Sequence, residues 1–420
     1  MKTSTEKTLK TVIMAGGKGT RIAEINSEVP KPMIEVCGKP ILLHQIEVLK
    51  NQGFVDIVLI IGHLGKVIED YFRDGSRFGV NISYIREDKP LGTAGALFYL
   101  KGKIADDFLL LNGDIIFDFD INKFFDYHKK RGGKATIFTH ANNHPYDSGL
   151  IISDENFCVT NWLHKEDERK WYKNRVNSGI HLLSPDVLTL FLEPHKTDLD
   201  RDILKKLIEK RELICYDSPE YVHDMGTPDR YRQAIRDIET GLVKKKNLSN
   251  KQEAVFLDRD GTINKHVGYL RNIDDFELID GVAEFIVKSN TEGKLVIVIT
   301  NQPVIARGEV SWDQLSEIHN KMETLLGEKG AYVDDIFICP HHPDSGFDGE
   351  RSEYKIDCNC RKPKSGLLLQ AAEKYNIDLA RSVMIGDSDS DIIAGKNIGC
   401  RTFKVSRSKQ VELIKLLDKW

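Results

Sequence analysis

Short apolar, β-branched runs alternate along the chain with longer stretches in which apolar residues recur at helical spacing. The first pattern predicts buried strands and the second predicts amphipathic helices. Strands and helices in alternation indicate βαβ units, parallel sheets and an α/β fold. The predicted strands are Thr11–Met14, Asp56–Ile61, Phe108–Leu111, Val255–Leu257, Leu295–Ile299, Asp335–Ile338 and Ser382–Ile385, and the predicted helices are Ile41–Asn51, Trp312–Gly327 and Gly366–Tyr375.

The alternation is interrupted in the segment 241–253 (GLVKKKNLSNKQE), which has a run of lysines and no strand pattern. An apolar run, AVFLD, follows it directly. A chain of 420 residues has room for two or three domains of roughly 150 residues each. We therefore expect a first domain over 1–241, a linker over 242–253 whose lysines face solvent, and a second domain over 254–420.

The charges of the chain nearly cancel: 60 lysines and arginines stand against 64 aspartates and glutamates, which leaves a formal charge of -4. This balance argues against a basic surface built for nucleic acid. The apolar runs are far shorter than the roughly 20 residues of a membrane span, and the first lysines are not followed by the apolar stretch of a secretory signal. We expect a cytoplasmic protein without a nucleic-acid or membrane partner.

A glycine-rich loop, GGKGTR at 16–21, follows the first predicted strand. Glycine lets backbone N–H groups approach a polyphosphate, and Lys18 and Arg21 add positive charge. The loop matches neither GxxxxGK[ST] nor GxGxxG. Because a tight junction between a strand and a helix also uses glycine, the loop alone does not define a phosphate site.

Further motifs follow in the same half of the chain. Asp114, in the motif NGD, ends a buried strand at the edge where α/β sheets bind ligands. It is a candidate Mg²⁺ ligand, and a turn-forming aspartate is the alternative. The other motifs are KPM at 31–33, LGTAGAL at 91–97, NSGI at 177–180 and HDMGTP at 223–228.

Taken in order, GGxGTR, KP, GTAGA, NGD, NxG and DxGTP resemble the sugar-1-phosphate nucleotidyltransferases over about residues 11–239. The resemblance implies a doubly wound, Rossmann-like domain of the GT-A-like kind, in which a sugar phosphate attacks a nucleoside triphosphate and pyrophosphate leaves. Positioned cations and Mg²⁺ suffice for this reaction, and no protein nucleophile is needed. The resemblance implies nucleotide binding by Gly16, Gly17, Gly19, Arg21, Gly92 and Thr93, catalysis by Lys31 and Arg21, Mg²⁺ on Asp114 and Asp224, and a sugar pocket with Asn177, Gly179 and Lys165.

One position departs from that family, which often has EKP where this chain has HKE at 164–166. Lys165 is aligned with the lysine of that motif.

The second half opens with AVFLDRDGT, which places Asp258 and Asp260 just past a buried strand. Two carboxylates at this spacing can divide a phosphoryl transfer, one as nucleophile and the other as acid and base. An acidic turn, which the sequence DG favours, is the alternative. The residues that support the phosphoryl-transfer interpretation follow later strands, and they are Thr300, Asn301, Arg361, Lys362 and Asp387.

The order Asp-x-Asp, Thr, Lys, Asp resembles the haloacid dehalogenase-type phosphatases. The resemblance implies that Asp258 is the nucleophile and Asp260 the acid and base, with Thr300 and Lys362 also catalytic. It further implies Mg²⁺ on Asp258, Asp387 and Asp260, the last through its backbone, and substrate binding by Asn301, Arg307, Arg361 and Lys362.

Seven cysteines are present, and three of them cluster in the motifs CPH at 339–341 and CNC at 358–360. Three thiolates and one imidazole suit tetrahedral Zn²⁺ and leave no open position for a reactive water. We predict a structural zinc site on Cys339, His341, Cys358 and Cys360, with His342 as the competing histidine. The other cysteines lack such spacing and are expected to be buried thiols, namely Cys37, Cys158, Cys215 and Cys400.

The zinc loop, the segment DRDGTIN, a later FELIDGV and IARG at 305–308 resemble the D-glycero-D-manno-heptose 1,7-bisphosphate 7-phosphatases more than the histidinol-phosphate phosphatases. Such a phosphatase makes heptose 1-phosphate, which a nucleotidyltransferase then consumes. The hypothesis is a bifunctional enzyme whose substrates are heptose bisphosphate, heptose 1-phosphate and a nucleoside triphosphate. Guanosine triphosphate is taken from the family precedent, and the product would be GDP-D-glycero-α-D-manno-heptose.

Three alternatives remain at this point. The chain could join a hexose-1-phosphate nucleotidyltransferase of the mannose type to a histidinol-phosphate-like phosphatase. The first half could be a ligand-sensing module that regulates a phosphatase, although its complete motifs weigh against this. Processing of nucleic-acid ends suits the second fold but not the near-neutral charge.

Overall fold

The computed structural model of the chain describes residues 9–17 and 28–406. The chain groups into two compact units, each of which is described separately. The first unit comprises 1–139, 151–162 and 177–247, and the second comprises 140–150, 163–176 and 248–420. The change of unit after residue 247 falls inside the segment 242–253, and two short stretches before residue 177 group with the second unit.

The described residues up to 247 form a large mixed sheet, two small antiparallel pairs and the helices around them. The strands are β1 (Lys10–Met14), β2 (Glu35–Val36), β3 (Lys39–Pro40), β4 (Asp56–Ile61), β5 (Asn81–Arg86), β6 (Phe108–Asn112), β7 (Ile115–Asp118), β8 (Ala135–His140), β9 (Leu150–Ser153), β10 (Val159–Leu163), β11 (Val176–Leu183), β12 (Leu213–Asp217) and β13 (Tyr221–Asp224). The helices are α1 (Ile41–Asn51), α2 (Gly65–Phe72), α3 (Ile121–Arg131), α4 (Lys205–Glu209), α5 (Pro228–Glu239) and α6 (Leu242–Lys245).

The large sheet has the order β10-β9-β11-β6-β1-β4-β5, with β8 beside β11 and β12 beside β8. β1 runs parallel to both of its neighbours, β4 and β6. β11, however, runs antiparallel to β6, so the expectation of a purely parallel sheet is wrong here. The strands from β8 to β11 follow one another, in a fully described stretch, without an α-helix between them, and parallel neighbours need such a crossover.

The second sheet is wholly parallel, as predicted, and has the order β16-β15-β14-β17-β18. Its strands are β14 (Ala254–Leu257), β15 (Leu295–Asn301), β16 (Asp335–Cys339), β17 (Val383–Gly386) and β18 (Arg401–Lys404). The helices that connect them are α7 (Val282–Thr291), α8 (Trp312–Gly327), α9 (Gly366–Tyr375) and α10 (Asp389–Lys396).

The central strands are buried on both faces, which explains their continuous apolar runs. On β6, Leu109 and Leu111 pack into one hydrophobic cluster, whereas Phe108 and Leu110 pack into another on the opposite face. β14 does the same, with Val255 and Leu257 on one face and Ala254 and Phe256 on the other. These layers confirm two doubly wound α/β units.

Cysteine burial differs in one case from the expectation. Cys158, Cys215 and Cys400 are buried, but Cys37 is exposed. It lies in the tight turn between β2 and β3, where its φ of 50° places the backbone in the left-handed region. A residue in such a turn has no core to pack against.

Among the helices of the described ranges, none is long and apolar enough to cross a membrane.

Candidate active sites

The first candidate site lies where β1 and β6 end side by side as parallel neighbours. The pair Gly16–Gly17 continues from β1, and Gly113 follows β6. Gly113 donates its N–H to the carbonyl of Met14 over 3.0 Å. A Cβ on Gly113 would lie 2.7 Å from that oxygen, so the approach requires glycine. Asp114 is thereby held close to the glycine loop.

Both acids that the motifs single out have a cationic partner. The ammonium of Lys31, in a 3-10 turn, contacts Asp114. The Nη1 atom of Arg230 lies 3.0 Å from each carboxylate oxygen of Asp224, and the Gly226 N–H donates to Oδ1 over 2.8 Å. Burial alone would raise the pKa of Asp224, but Arg230 and this N–H hold it below its usual range.

These residues fit a divalent cation that arrives with a polyphosphate. The Met225 N–H donates to the carbonyl of Asp114 over 3.0 Å, which keeps Asp114 and Asp224 at the junction of β7 and β13. Carboxylate oxygens are ligands that Mg²⁺ prefers. Lys31 and Arg230 can pair with phosphate oxygens once the carboxylates bind the ion, so the charge of the site stays balanced.

The loop that is predicted to contact the base and the sugar packs closely against the segment 197–199. Gly92 has a φ of 79°, and a Cβ on it would lie 2.5 Å from the carbonyl oxygen of Thr197. The hydroxyl of Thr93 accepts the N–H of Leu199 over 2.8 Å. Gly92 and Thr93 are therefore fixed in one conformation against the segment 197–199.

β11 brings the predicted sugar residues to the same end of the sheet. Gly179, with a φ of 78°, packs against Asn112, whose Nδ2 would lie 2.4 Å from a Cβ at that position. The Nδ2 atom of Asn177 lies 3.2 Å from the Nε2 atom of His181. Burial lowers the pKa of His181 to about 3, so its ring is neutral and accepts this bond. Asn177 and Gly179 thus adjoin the NGD turn.

Three predicted residues of the first half remain to be placed. Gly19 and Arg21 lie outside the described residues. Lys165 is exposed in the turn after β10, in a stretch that groups with the second unit. The roles of these three residues stay predictions.

The second candidate site is organised around the buried ammonium of Lys362, which is 4% exposed. Its Nζ atom lies 2.7 Å from Asp258 Oδ1, 2.6 Å from Asp391 Oδ1 and 2.6 Å from the Ile299 carbonyl. Asn301 holds the backbone of the lysine with two bonds of 3.1 Å, one to its carbonyl and one from its N–H. The ammonium is therefore fixed between two aspartates.

Three carboxylates converge here, since oxygens of Asp258, Asp387 and Asp391 lie within 4.8 Å of one another. Burial raises the pKa of Asp258 to about 7, against the opposing effect of Lys362. Carboxylate oxygens that converge in this way suit Mg²⁺, and a divalent cation would offset their negative charge. Asp391 also caps the following helix, because its Oδ2 accepts from the Ser388 N–H and hydroxyl at the start of α10.

The carboxylate of Asp260 points to a different set of partners. Arg259 donates to both of its oxygens, Asn264 donates to Oδ1 over 3.1 Å, and Gln302 donates to Oδ2 over 2.8 Å. Burial alone would raise the pKa of Asp260, but Arg259 and these bonds hold it below its usual range. Gln302 also donates to the hydroxyl of Thr300 over 2.8 Å, which places Thr300 beside Asp260.

The cysteine cluster could hold a metal ion, and its three thiols and one imidazole suit Zn²⁺. The Sγ atoms of Cys358 and Cys360 are 3.2 Å apart, as are those of Cys339 and Cys360, and His341 Nδ1 lies 3.2 Å from Cys360 Sγ. Four ligands around one Zn²⁺ would stand roughly 3.8 Å apart at a metal–sulfur distance of about 2.3 Å. Burial raises the pKa of the Cys339 thiol, so without a cation it stays protonated.

The competing histidine has another partner. The Nε2 atom of His342 accepts from Nη2 of Arg307 over 3.3 Å, while the guanidinium of Arg307 lies 4.1 Å and 4.3 Å from the ring centroids of Tyr269 and Phe347. His341 is therefore the histidine of the cluster. Arg361, another predicted phosphate ligand, donates to the carbonyl of His341 over 3.1 Å, so its position depends on the cysteine loop.

A family model described as nucleotidyl transferase matches residues 10–241, which is more than half of the chain. The chain belongs to the nucleotidyl transferase family. A second model, described as HAD-hydrolase-like, matches residues 359–412. That stretch contains Lys362, Asp387 and Asp391, so the match agrees with a haloacid dehalogenase-like fold for the second unit.

Among curated relatives of this nucleotidyl transferase, the mannose-1-phosphate guanyltransferase of Saccharomyces cerevisiae is 34% identical over 226 residues, which are 52% of this chain and 62% of the relative. The probable mannose-1-phosphate guanylyltransferase 1 of Oryza sativa subsp. japonica is 32% identical, over 56% of this chain and 66% of the relative. The chain thus spans less than two thirds of the length of these relatives.

Solved structures also match the nucleotidyl transferase part. HddC from Yersinia pseudotuberculosis complexed with GMP-PN is 27% identical, with a TM-score of 0.47 over 55% of this chain and 99% of that one. A putative glucose-1-phosphate thymidylyltransferase from Bacillus anthracis in complex with a sucrose is 24% identical, with a TM-score of 0.49 over 54% of this chain and 94% of that one.

The motifs did not reveal two side chains that complete the sites. Arg230 of the nucleotidyl transferase site follows Asp224 by six residues, in the first turn of α5. It could have been suspected because a buried acid needs a compensating cation. Gln302 adjoins Thr300 and Asn301 in sequence, but only the fold shows that its amide reaches Asp260.

Replacing His341 with alanine should remove zinc from the cysteine cluster, because one of four ligands is lost. We expect about one zinc per chain in the unsubstituted protein and less than about a tenth of that in the variant. Plasma emission spectrometry of the purified proteins measures the metal. His342→Ala is the matched control and should keep its zinc, since this side chain bonds Arg307 instead. Equal zinc contents in the two variants would contradict the assignment.

Replacing Asp391 with asparagine should lower phosphate release from para-nitrophenyl phosphate by about a hundredfold, because Lys362 loses one of its two carboxylates. Because Asp391 is buried in an ion pair with Lys362, the melting temperature should also fall, so activity is compared well below the melting temperature of the variant. Asp389→Asn, an exposed change in the same turn of α10, is the control. The role of Asp391 would be refuted by equal activities of the two variants.

Proposed function

We propose that the chain catalyses two consecutive reactions of nucleotide-sugar synthesis. The second unit hydrolyses the 7-phosphate of D-glycero-D-manno-heptose 1,7-bisphosphate, and the nucleotidyl transferase part then transfers GMP from GTP to the resulting heptose 1-phosphate. The observation that carries the proposal is the buried cluster of Asp258, Lys362 and Asp391 on the same chain as a nucleotidyl transferase. A sugar bisphosphate phosphatase produces a sugar phosphate, and sugar phosphates are the class of substrate on which that family acts.

The hydrolysis follows from the positions of the side chains. A carboxylate oxygen of Asp258 attacks phosphorus, and the bond from phosphorus to the sugar oxygen breaks. That oxygen takes a proton from Asp260, which is ionised in the free protein and receives this proton from the incoming phosphate monoanion. Water then attacks the aspartyl phosphate and gives its proton to Asp260, which releases inorganic phosphate and restores Asp258. Lys362, 2.7 Å from Asp258, orients the nucleophile and offsets charge. Mg²⁺ held by Asp258, Asp387 and Asp391 would supply further neutralisation.

The transfer needs only positioning and charge. A phosphate oxygen of the sugar 1-phosphate attacks the α-phosphorus of the triphosphate, and the bond to pyrophosphate breaks. Lys31 and Arg230 are the described cations beside the two acids, and they can pair with phosphate oxygens. Mg²⁺ on Asp114 and Asp224 would neutralise the leaving pyrophosphate.

Heptose is the proposed sugar because of the second unit. The four-residue zinc cluster and the polar loop between its two halves distinguish this phosphatase, and both resemble the heptose bisphosphate enzymes. Arg361 and Lys362 directly follow Cys360, so the cluster sets the position of two residues that would contact the substrate phosphate. We place both reactions in the cytoplasm, where thiols remain reduced and able to bind zinc.

Two observations support guanine as the base. The curated relatives are named as guanylyltransferases. In addition, Glu87 stands half-buried after β5, with Oε1 accepting the Leu91 N–H over 3.2 Å and Oε2 facing Gly16, where a Cβ would lie 2.3 Å away. A carboxylate can accept bonds from the adjacent N1–H and N2–H₂ donors of guanine.

A second candidate is a mannose-1-phosphate guanylyltransferase joined to a phosphatase of another specificity. The curated relatives, which are mannose-1-phosphate guanylyltransferases by name, favour it. It differs from the first proposal in the sugar and leaves the chemistry of both sites unchanged.

A coupled assay separates the two candidates. The protein is incubated with heptose 1,7-bisphosphate, Mg²⁺ and each nucleoside triphosphate in turn, and nucleotide sugars are identified by mass spectrometry. We expect GDP-heptose, with one phosphate and one pyrophosphate for each molecule formed. GDP-mannose from mannose 1-phosphate, with no phosphate released from the heptose bisphosphate or with release from histidinol phosphate instead, would favour the second candidate.

Two variants serve as each other's control in that assay. Asp258→Asn should abolish phosphate release, because the amide is a poor nucleophile, and should leave transfer from supplied heptose 1-phosphate intact. Asp114→Ala should stop pyrophosphate release while phosphate is still formed. Loss of both activities in either variant would contradict two separate sites.

Glu87→Gln should lower kcat/KM for GTP by about tenfold or more, since the amide offers one acceptor where the carboxylate offers two. Its effect with adenosine triphosphate should be small or opposite. Asp88→Asn, an exposed neighbour, is the matched control. An equal loss for both nucleotides would show that Glu87 does not select the base.

A further inference from the structure

Arg259 is the most deeply buried charged side chain near the phosphatase site, with 0% exposure. It stands in sequence between the two aspartates of the motif, Asp258 and Asp260. Its Nη2 atom lies 2.9 Å and 2.7 Å from the two oxygens of Asp260, and its Nη1 atom lies 3.0 Å from Nε2 of His319. The arginine thus connects helix α8 to Asp260.

The tautomer of His319 follows from this contact. A guanidinium only donates hydrogen bonds, so Nε2 of His319 must accept and the ring carries its proton on Nδ1. The ring is 6% exposed and belongs to the buried face of α8. Burial lowers the pKa of His319 to about 3, with a contribution from Arg259 in the same direction. His319 is therefore a neutral hydrogen-bond acceptor, buried in the core opposite the guanidinium of Arg259.

Asp260 has to be oriented to pass a proton to the leaving oxygen. Its carboxylate accepts from Arg259, Asn264 and Gln302, so both oxygens are held from the protein side. Asn264 and Gln302 are fixed by neighbouring backbone or side chains, because Asn264 also donates to the Lys265 carbonyl and Gln302 to Thr300. Arg259, in turn, is held by His319 as well as by Asp260.

We propose that His319 is a positioning residue for the phosphatase reaction, which acts through Arg259 to hold Asp260 in the rotamer from which it protonates the leaving oxygen. The inference rests on the proposed function, in which Asp260 is the acid. Without the His319 acceptor, one arm of a buried guanidinium has no partner and Arg259 can rotate. Asp260 then loses its fixed position although it is itself unchanged.

Leaving-group dependence is the readout that a merely structural role would not change. The para-nitrophenolate ion leaves without protonation, whereas phenolate and sugar alkoxides need a proton from the acid. A displaced Asp260 should therefore slow hydrolysis of phenyl phosphate and of a sugar phosphate much more than hydrolysis of para-nitrophenyl phosphate.

The variants are His319→Leu, which removes the acceptor, and His319→Gln, whose amide oxygen can replace it. For His319→Leu we expect kcat for phenyl phosphate to fall by about 30-fold or more and kcat for para-nitrophenyl phosphate to fall by less than about threefold, with KM little changed. His319→Gln should recover most of the loss. Ile318→Ala, a core truncation at a residue 1% exposed on the same helix, is the control for lost packing and should slow both substrates equally.

Asp260→Asn separates a failure of this inference from a failure of the proposed function. If Asp260→Asn shows the leaving-group selectivity and His319→Leu slows both substrates by one factor, as Ile318→Ala does, the positioning role is overturned. If Asp260→Asn itself shows no leaving-group selectivity, both the role of Asp260 as the acid and this inference are refuted. Should His319→Leu not fold, the same comparison is made with His319→Gln and His319→Asn, and a selectivity that does not follow the presence of an acceptor opposite Arg259 overturns the proposal.

Discussion

Both units depend on one topological constraint, which is that the first strand of each sheet lies in its middle. From β1 the chain passes to β4 on one side and later to β6 on the other, and from β14 it passes to β15 and later to β17. The connections leave the central strand in opposite directions, so a crevice opens at the carboxyl ends of β1 and β6, and of β14 and β17. Both candidate sites lie in such a crevice, because only there can polar side chains meet without a loop covering them.

The two sites differ in how their acidic side chains are paired with cations. In the nucleotidyl transferase site each acid has its own cation, as Asp114 has Lys31 and Asp224 has Arg230. Such a balanced site suits a ligand that brings both charges with it, namely a metal with a polyphosphate. In the phosphatase site, oxygens of three buried acids lie within 4.8 Å of one another, and the ammonium of Lys362 pairs with two of them, Asp258 and Asp391. Such a group of buried carboxylates suits a cation that binds all three.

Local patterns in the sequence were sufficient for the elements that carry the sites. Helix α8 was predicted residue for residue, because its apolar periodicity begins at a serine cap and the capping box of Ser311 and Gln314 is local. Asp258 directly follows a buried apolar run, and Asp114 lies just beyond another, so both stood out in the sequence. The assignment of the glycine-rich loop to nucleotide binding rests on its motif and stays a prediction, since Gly19 and Arg21 lie outside the described residues.

What could not be predicted depends on contacts between distant parts of the chain. The antiparallel direction of β11 is set by pairing with β6, and no local pattern contains it. Arg230, Gln302 and His319 have ordinary surroundings in sequence, and their partners are known only once the chain is folded. The spacing in the sequence does not distinguish His341 from His342. The structure does, because His342 bonds the guanidinium of Arg307.

The cysteine loop has a consequence for the phosphatase site. Lys362 follows Cys360 by two residues, so the ammonium that orients the phosphatase nucleophile is anchored to a cluster of thiols. Oxidation of these thiols would disturb this anchor, while the nucleotidyl transferase site contains no cysteine among its described residues. In the proposed function, phosphate release would then stop before nucleotidyl transfer does.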